Sequence, residues 1–172
     1  MSADTTIFLI GYMGSGKSSV GKKLAHSLHY RFIDLDVLIE KQQKKSIPAI
    51  FELVGEDGFR KIEQQALISL KDESNIVVAT GGGCPTFNNN MQWMNAHGKT
   101  IYLKCSIGVL FHRIAPQKKQ RPLIAHMDDV DIMDFMVTTL KERSKFYEKA
   151  IFTVDGDGSV EMVCKRVMVV AI

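Results

Sequence analysis

A chain of 172 residues, 45% hydrophobic and 24% charged, has the length and balance of one globular domain with a substantial core. Its net charge of +3 is too small to argue for nucleic acid or a membrane surface, and it is compatible with anionic small molecules. No apolar run approaches a membrane span, residues 1–6 lack a signal-peptide pattern, and Cys84, Cys105 and Cys164 form no CxxC, so a cytoplasmic protein with reduced thiols is expected.

Along the chain, strand-like and helical segments take turns. TIFLIG (6–11) reads as a strand and SSVGKKLAHSL (18–28) as a helix; RFIDLD (31–36) is a short strand and VLIEKQQKK opens another helix. Ser46 is placed to cap a helix through IPAIFELVG, with Pro48 tolerated in its first turn. In EDGFRKIEQQALISL, Phe59, Ile62, Ala66 and Leu70 share one helical stripe. A strand at 75–80, a helix near 87–96 ended by Gly98, the strand TIYLKCS and the helix IGVLFHRIA follow. A polar stretch covers 116–126, then a long helix about 128–149, the strand IFTVDG and a C-terminal helix. This alternation predicts a parallel sheet with helices on both faces, without a linker that divides the chain.

The sharpest motif is GYMGSGKS (11–18), which matches G-x4-G-K-S between a strand and a helix. Glycines let backbone N–H groups turn around phosphate oxygens, and the helix N-terminus adds positive potential. In such a loop Lys17 reaches the β- and γ-phosphates and the Ser18 hydroxyl can ligate Mg²⁺, which makes this a nucleoside triphosphate site.

Asp34 and Asp36, two apart in an extended segment, are expected to point together at the carboxyl end of the second strand. Beside a P-loop, one carboxylate suits the magnesium shell and the other an acceptor hydroxyl; the plain alternative is a helix cap. Arg143 shares a stripe with Met136, Leu140 and Tyr147, where a guanidinium requires an anionic partner. Arg60 borders the apolar stripe of its own helix, where pairing with Glu63 or Glu56 is the alternative to ligand binding. Arg121 lies in a basic, proline-bounded stretch that could close as a lid over a transferring phosphoryl group. Last, the strand VVAT runs into Gly81, Gly82 and Gly83. One glycine would suggest a turn with positive φ, but three in a row suggest that something lies against the backbone itself.

Together these segments resemble the shikimate kinase family from about residue 6 to 155. GYMGSGKSSVGKKLA resembles its P-loop and first helix, FIDLD its paired aspartates, GEDGFRKIE and LKERSKFYEKA its two substrate arginine segments, ATGGGCP its glycine-rich strand end and RPLI its lid. The resemblance implies a three-layer α/β/α P-loop fold with a central five-stranded parallel sheet. It implies one kinase domain over 1–172, with a substrate-binding segment at about 32–62 and a lid at about 116–127. It further implies transfer of the γ-phosphoryl of ATP to the 3-hydroxyl of shikimate, in aromatic amino acid biosynthesis, with Mg²⁺. Carried over by position, Gly14, Ser15, Gly16, Lys17, Ser18, Ser19 and Arg121 bind nucleotide, with Lys17 and Arg121 stabilising the moving phosphoryl group. Asp36 holds and helps deprotonate the acceptor; Arg60, Arg143 and the Gly82 backbone hold it; Ser18 and Asp34 serve the metal. The chain departs from the family at Lys145 and Phe146, where a Pro-Leu pair is common, and in VDGDGSVE, which lacks a frequent proline.

Three other enzyme or binding classes are discriminated by residues. A gluconate-type or nucleoside-monophosphate kinase should lack the set of Asp36, Arg60, triple glycine and Arg143. A non-catalytic, nucleotide-binding relative should have lost Lys17, an aspartate or the lid arginine, and none is lost. A nucleic-acid-binding NTPase would show basic residues in a stripe with interleaved aromatics, which is absent. A monomer is expected, since no exposed apolar repeat is evident.

Overall fold

Alternation along β1 (Thr6–Ile10) sorts the core into two layers. Phe8 and Ile10 belong to one apolar cluster with Leu35, Ile39, Phe59 and Tyr147, while Ile7 and Leu9 belong to another with Val20, Leu24, Val163 and Val167. The fold is given by a computed structural model that describes residues 5–120 and 124–172. Its other strands are β2 (Arg31–Asp34), β3 (Ile76–Ala79), β4 (Lys99–Lys104) and β5 (Phe152–Asp155). All pair in parallel, in the order β2-β3-β1-β4-β5. Helices α1 (Lys17–Leu28) and α7 (Val160–Ala171) cover one face of the sheet. The other carries α2 (Leu35–Gln43), α3 (Ile47–Ile68), α4 (Asn90–His97), α5 (Ile107–Ile114) and α6 (Asp129–Tyr147). This is the expected three-layer α/β/α arrangement with five parallel strands.

Local chemistry sets the helix ends. The Ser46 hydroxyl accepts from the Ala49 N–H at 3.4 Å, the expected cap, and Ser106, Ser159 and Asp128 cap α5, α7 and α6 in the same way. Within α3 the backbone breaks at Gly55 (φ 68°, ψ −175°), so the two helical segments expected from sequence meet at a kink. The polar stretch expected over 116–126 begins instead as a 3-10 helix, Ala115–Gln120. Lys145 and Phe146 lie inside α6, which runs on to Tyr147, so the Pro-Leu pair is not needed to bring that tyrosine into the core. No helix among the described residues is long and apolar enough to cross a membrane.

Sheet order places the chemistry. β1 lies at the centre, with Leu9 opposite Ala79 of β3 and Ile10 opposite Tyr102 of β4. The loop that leaves β1 at Gly11 therefore emerges beside the turn that leaves β3 at Thr80. Asp34, opposite Ala79 in the β2–β3 pairing, ends its strand at the same edge. Ligand sites in open α/β sheets form at such carboxyl ends.

Candidate active site

The loop from Gly11 to Gly16 wraps ahead of α1, and its shape depends on glycine. Gly14 (φ 76°) and Gly16 (φ 91°), the latter the N-cap of α1, hold left-handed conformations that side chains resist. Lys17 is largely buried, and its Nζ donates to the carbonyls of Gly11 and Tyr12, each at 2.8 Å, and to Ser15 Oγ at 3.4 Å. Ser15 is buried behind the loop, whereas Ser18 and Ser19 are exposed at its mouth. The Ser18 hydroxyl donates to Asp34 Oδ2 at 2.7 Å.

The two aspartates converge by a different route from the one expected. β2 ends at Asp34, which caps α2 by accepting from the Asp36 N–H at 3.2 Å; Asp36 is the second residue of that helix. An Asx cap, not the strand pleat, brings the two carboxylates together, so the capping alternative is what the structure shows, and it leaves both carboxylates on one cleft. Although open to solvent, Asp36 sits against the cleft wall. That crowding, reinforced by Asp34, raises its carboxyl above the usual range, against the pull of Lys17 and Arg60.

Both groups face one cleft of about 710 Å³. Of the residues picked out from sequence, Gly14, Gly16, Lys17, Ser18, Ser19, Asp34, Asp36 and Gly82 line it. Gly81 and Thr80 continue the wall from the β3 side, and Arg113, Gly156, Gly158 and Ser159 close the far end. Arg113 donates to Gly14 O at 3.2 Å and to Gly158 O at 3.0 Å, so it ties the phosphate loop to the segment between β5 and α7. Arg121 lies outside the described residues.

The triple glycine behaves otherwise than a turn that needs positive φ. None of Gly81, Gly82 or Gly83 is left-handed; Gly83 has φ −91° and ψ −16° and leads into the 3-10 turn Cys84–Thr86. What the glycines supply is room. A Cβ on Gly81 would lie 2.5 Å from Glu63 Oε1, and one on Gly83 would run into the Arg60 guanidinium. A Cβ on Gly82 would lie between the phosphate loop and Arg143, 3.4 Å from Met13 N and 3.5 Å from Arg143 Nη1. The backbone does lie against something, and in this structure it is the two arginine segments and the P-loop.

Arg60 makes both of the pairings weighed from sequence, donating to Glu63 Oε2 at 2.8 Å and to Glu56 Oε1 at 3.4 Å. Arg143 stacks over the Tyr12 ring at 5.8 Å and has no carboxylate ion pair among the described residues. Sequence reading undervalued Glu63, which is fully buried, with Oε1 lacking a hydrogen-bond partner; burial holds its carboxyl above the usual range although Arg60 opposes this. A signal was there. Glu63 falls four residues after Phe59 and four before Leu67, a charge on the inward stripe, the same pattern that singled out Arg143.

Hard oxygen ligands from Ser18 and Asp34 fit Mg²⁺. No group of three or more His, Cys, Asp or Glu suited to a metal occurs among the described residues; Mg²⁺ bound with a nucleotide takes further ligands from phosphate and water.

Known proteins share this sequence pattern and fold. The shikimate kinase family model matches residues 13–171. A shikimate kinase of Phocaeicola vulgatus is 45% identical over 146 residues, 85% of this chain and 83% of its own. The crystal structure of the Bacteroides thetaiotaomicron shikimate kinase superposes with a TM-score of 0.93 at 38% identity, covering 98% of each chain. The Acinetobacter baumannii shikimate kinase in complex with shikimate gives 0.89 at 32%, covering 98% of this chain and 93% of that one.

Proposed function

The chain belongs to the shikimate kinase family, and from that premise we propose that it phosphorylates the 3-hydroxyl of shikimate with ATP, giving shikimate 3-phosphate and ADP in aromatic amino acid biosynthesis. The observation that carries the reading is the single cleft in which Lys17 and Ser18 face Asp36 and the glycine turn. A donor phosphate and an acceptor hydroxyl brought into one such cleft can react directly, which is the main contribution of positioning in phosphoryl transfer.

In this reading the acceptor oxygen bonds to the γ-phosphorus as the bond to the ADP oxygen breaks, and the hydroxyl proton passes to Asp36. A carboxyl raised above its ordinary value is a stronger base once ionised, which favours that role. Arg60, Arg143 and the Gly82 backbone hold the acceptor, with the arginines on its carboxylate; Arg143, without a competing ion pair among the described residues, is the better prepared. Ser15, Gly14, Gly16 and Ser19 shape the phosphate pocket, and Lys17 and Arg121 stabilise charge on the moving group. Ser18 and Asp34 would hold Mg²⁺, which when bound neutralises phosphate charge. Residues about 32–62 form the acceptor segment and about 116–127 the lid of one kinase domain, which works as a monomer on two small molecules.

A coupled ADP-release assay with a panel of shikimate, quinate, gluconate and nucleoside monophosphates tests the reading. Turnover is expected with shikimate and Mg²⁺ and should vanish on chelation. No ADP above the shikimate-free background would refute the acceptor assignment.

A further inference from the structure

Three carbonyls of the glycine turn are hydrogen-bonded, and only one of them by a distant residue. Gly81 O accepts from the Cys84 N–H at 3.1 Å, and Gly83 O accepts from the Thr86 N–H at 3.0 Å and the Thr86 hydroxyl at 2.8 Å. Those bonds follow from the 3-10 turn itself. The carbonyl between them, Gly82 O, accepts instead from the Tyr147 hydroxyl at 2.5 Å, across 65 residues of sequence.

Tyr147 is fully buried, and burial raises its phenol above the ordinary value, so at neutral pH it is a proton donor. It does not line the cleft. Arg143 stands one turn earlier on α6, close enough for its charge to act on the phenol. Consecutive glycines have no Cβ to narrow their choice of φ and ψ, so a glycine carbonyl without a local partner leaves its peptide free to reorient. The Tyr147 hydroxyl removes that freedom at the residue that lines the cleft and on which a Cβ would lie 3.5 Å from Arg143 Nη1.

On the reading proposed above, we propose that Tyr147 is a positioning residue for the acceptor: its hydroxyl ties α6 to the middle glycine, so that Arg143 and the Gly82 backbone are presented in one fixed relation. The ring alone would serve packing, against Tyr102 with centroids 5.2 Å apart. Only the oxygen serves the tie.

Tyr147→Phe removes that oxygen and keeps the ring. Steady-state kinetics of wild type and variant with ATP, Mg²⁺ and shikimate should show the shikimate KM raised about 3- to 10-fold, the range expected for one lost hydrogen bond to a buried carbonyl, with the ATP KM held. Because KM does not depend on the folded fraction, partial unfolding lowers kcat without imitating this result. An unchanged shikimate KM, or a parallel rise in both KM values, would overturn the proposal. Replacing Tyr147 with 4-aminophenylalanine, which donates through nitrogen, should lie between wild type and Phe in shikimate KM. If no folded Phe variant is obtained, the amino variant carries the test alone: a shikimate KM within about threefold of wild type with the ATP KM held supports the tie, because a donor is retained, and a larger rise or an equal rise for ATP overturns the idea. Wild-type protein that fails to turn over shikimate would instead overturn the acceptor reading itself, and this inference with it.

Discussion

The molecule uses glycine in two ways, on two sides of one cleft. On the phosphate side, Gly14 and Gly16 are left-handed, and the loop is satisfied by its own backbone and by Lys17 within a few residues of sequence. On the acceptor side, none of Gly81, Gly82 and Gly83 is left-handed; at Gly81 and Gly83 side chains from α3 occupy the space a Cβ would take, and at Gly82 the phosphate loop and Arg143 of α6 stand at contact distance from it. The first kind of glycine sets a conformation; the second admits a neighbour. A substitution should therefore fail for different reasons on the two sides and affect different substrates.

The largest effect should come from Lys17→Ala, which removes the charged donor of the phosphate side. We expect kcat to fall by about 10²-fold or more, the usual loss for a preorganised donor at developing charge, with shikimate KM little changed. Steady-state kinetics check this, and a variant within tenfold of wild type would contradict the role. Arg143→Ala breaks the other side. Losing one charge-assisted contact present in both ground and transition states should raise the shikimate KM by about 10- to 150-fold and spare kcat.

A paired test sharpens the distinction between conformation and space. Gly16→Ala forces a left-handed alanine, at about 1–2 kcal/mol, and should weaken ATP binding by about 5- to 30-fold in nucleotide titrations. Gly83→Ala has no such strain but displaces the Arg60 guanidinium, and should raise the shikimate KM by about tenfold with ATP affinity retained. If both variants impair both ligands in step with lowered thermal stability, the distinction between the two sides fails.

Dependence on pH follows from Asp36. Its carboxyl is raised by the crowding of the cleft wall and by Asp34, and the proton-accepting form is the ionised one. Thus kcat/KM for shikimate should be full above the raised value and fall about tenfold per pH unit below it, with the inflection above the ordinary carboxylate range. A profile flat down to that range would remove Asp36 from the role of base. The smallest effect should be that of Gly82→Ala, whose Cβ meets Met13 N, Arg143 Nη1 and Gly11 O at 3.4–3.6 Å, ordinary contact distances. Thermal stability should stay within about 0.5 kcal/mol of wild type in thermal melts, as for substitutions free of strain or burial penalties.

What the sequence determined by itself was local. The spacing of GYMGSGKS specifies a loop whose left-handed glycines and Lys17 hydrogen bonds lie within eight residues, and alternation along β1 already separates the two layers of core. Ser46 was legible as a cap because its acceptor serves an N–H only three residues on. Tertiary structure decided the rest, because a residue's partner across the sheet leaves no mark in its own spacing. Strand order put the glycine turn beside the phosphate loop, an Asx cap rather than a pleat turned Asp34 and Asp36 together, and Glu63 and Tyr147 met the glycines from other helices. The sequence could say that three glycines leave room beside the backbone; only packing across 65 residues could say which side chains use it.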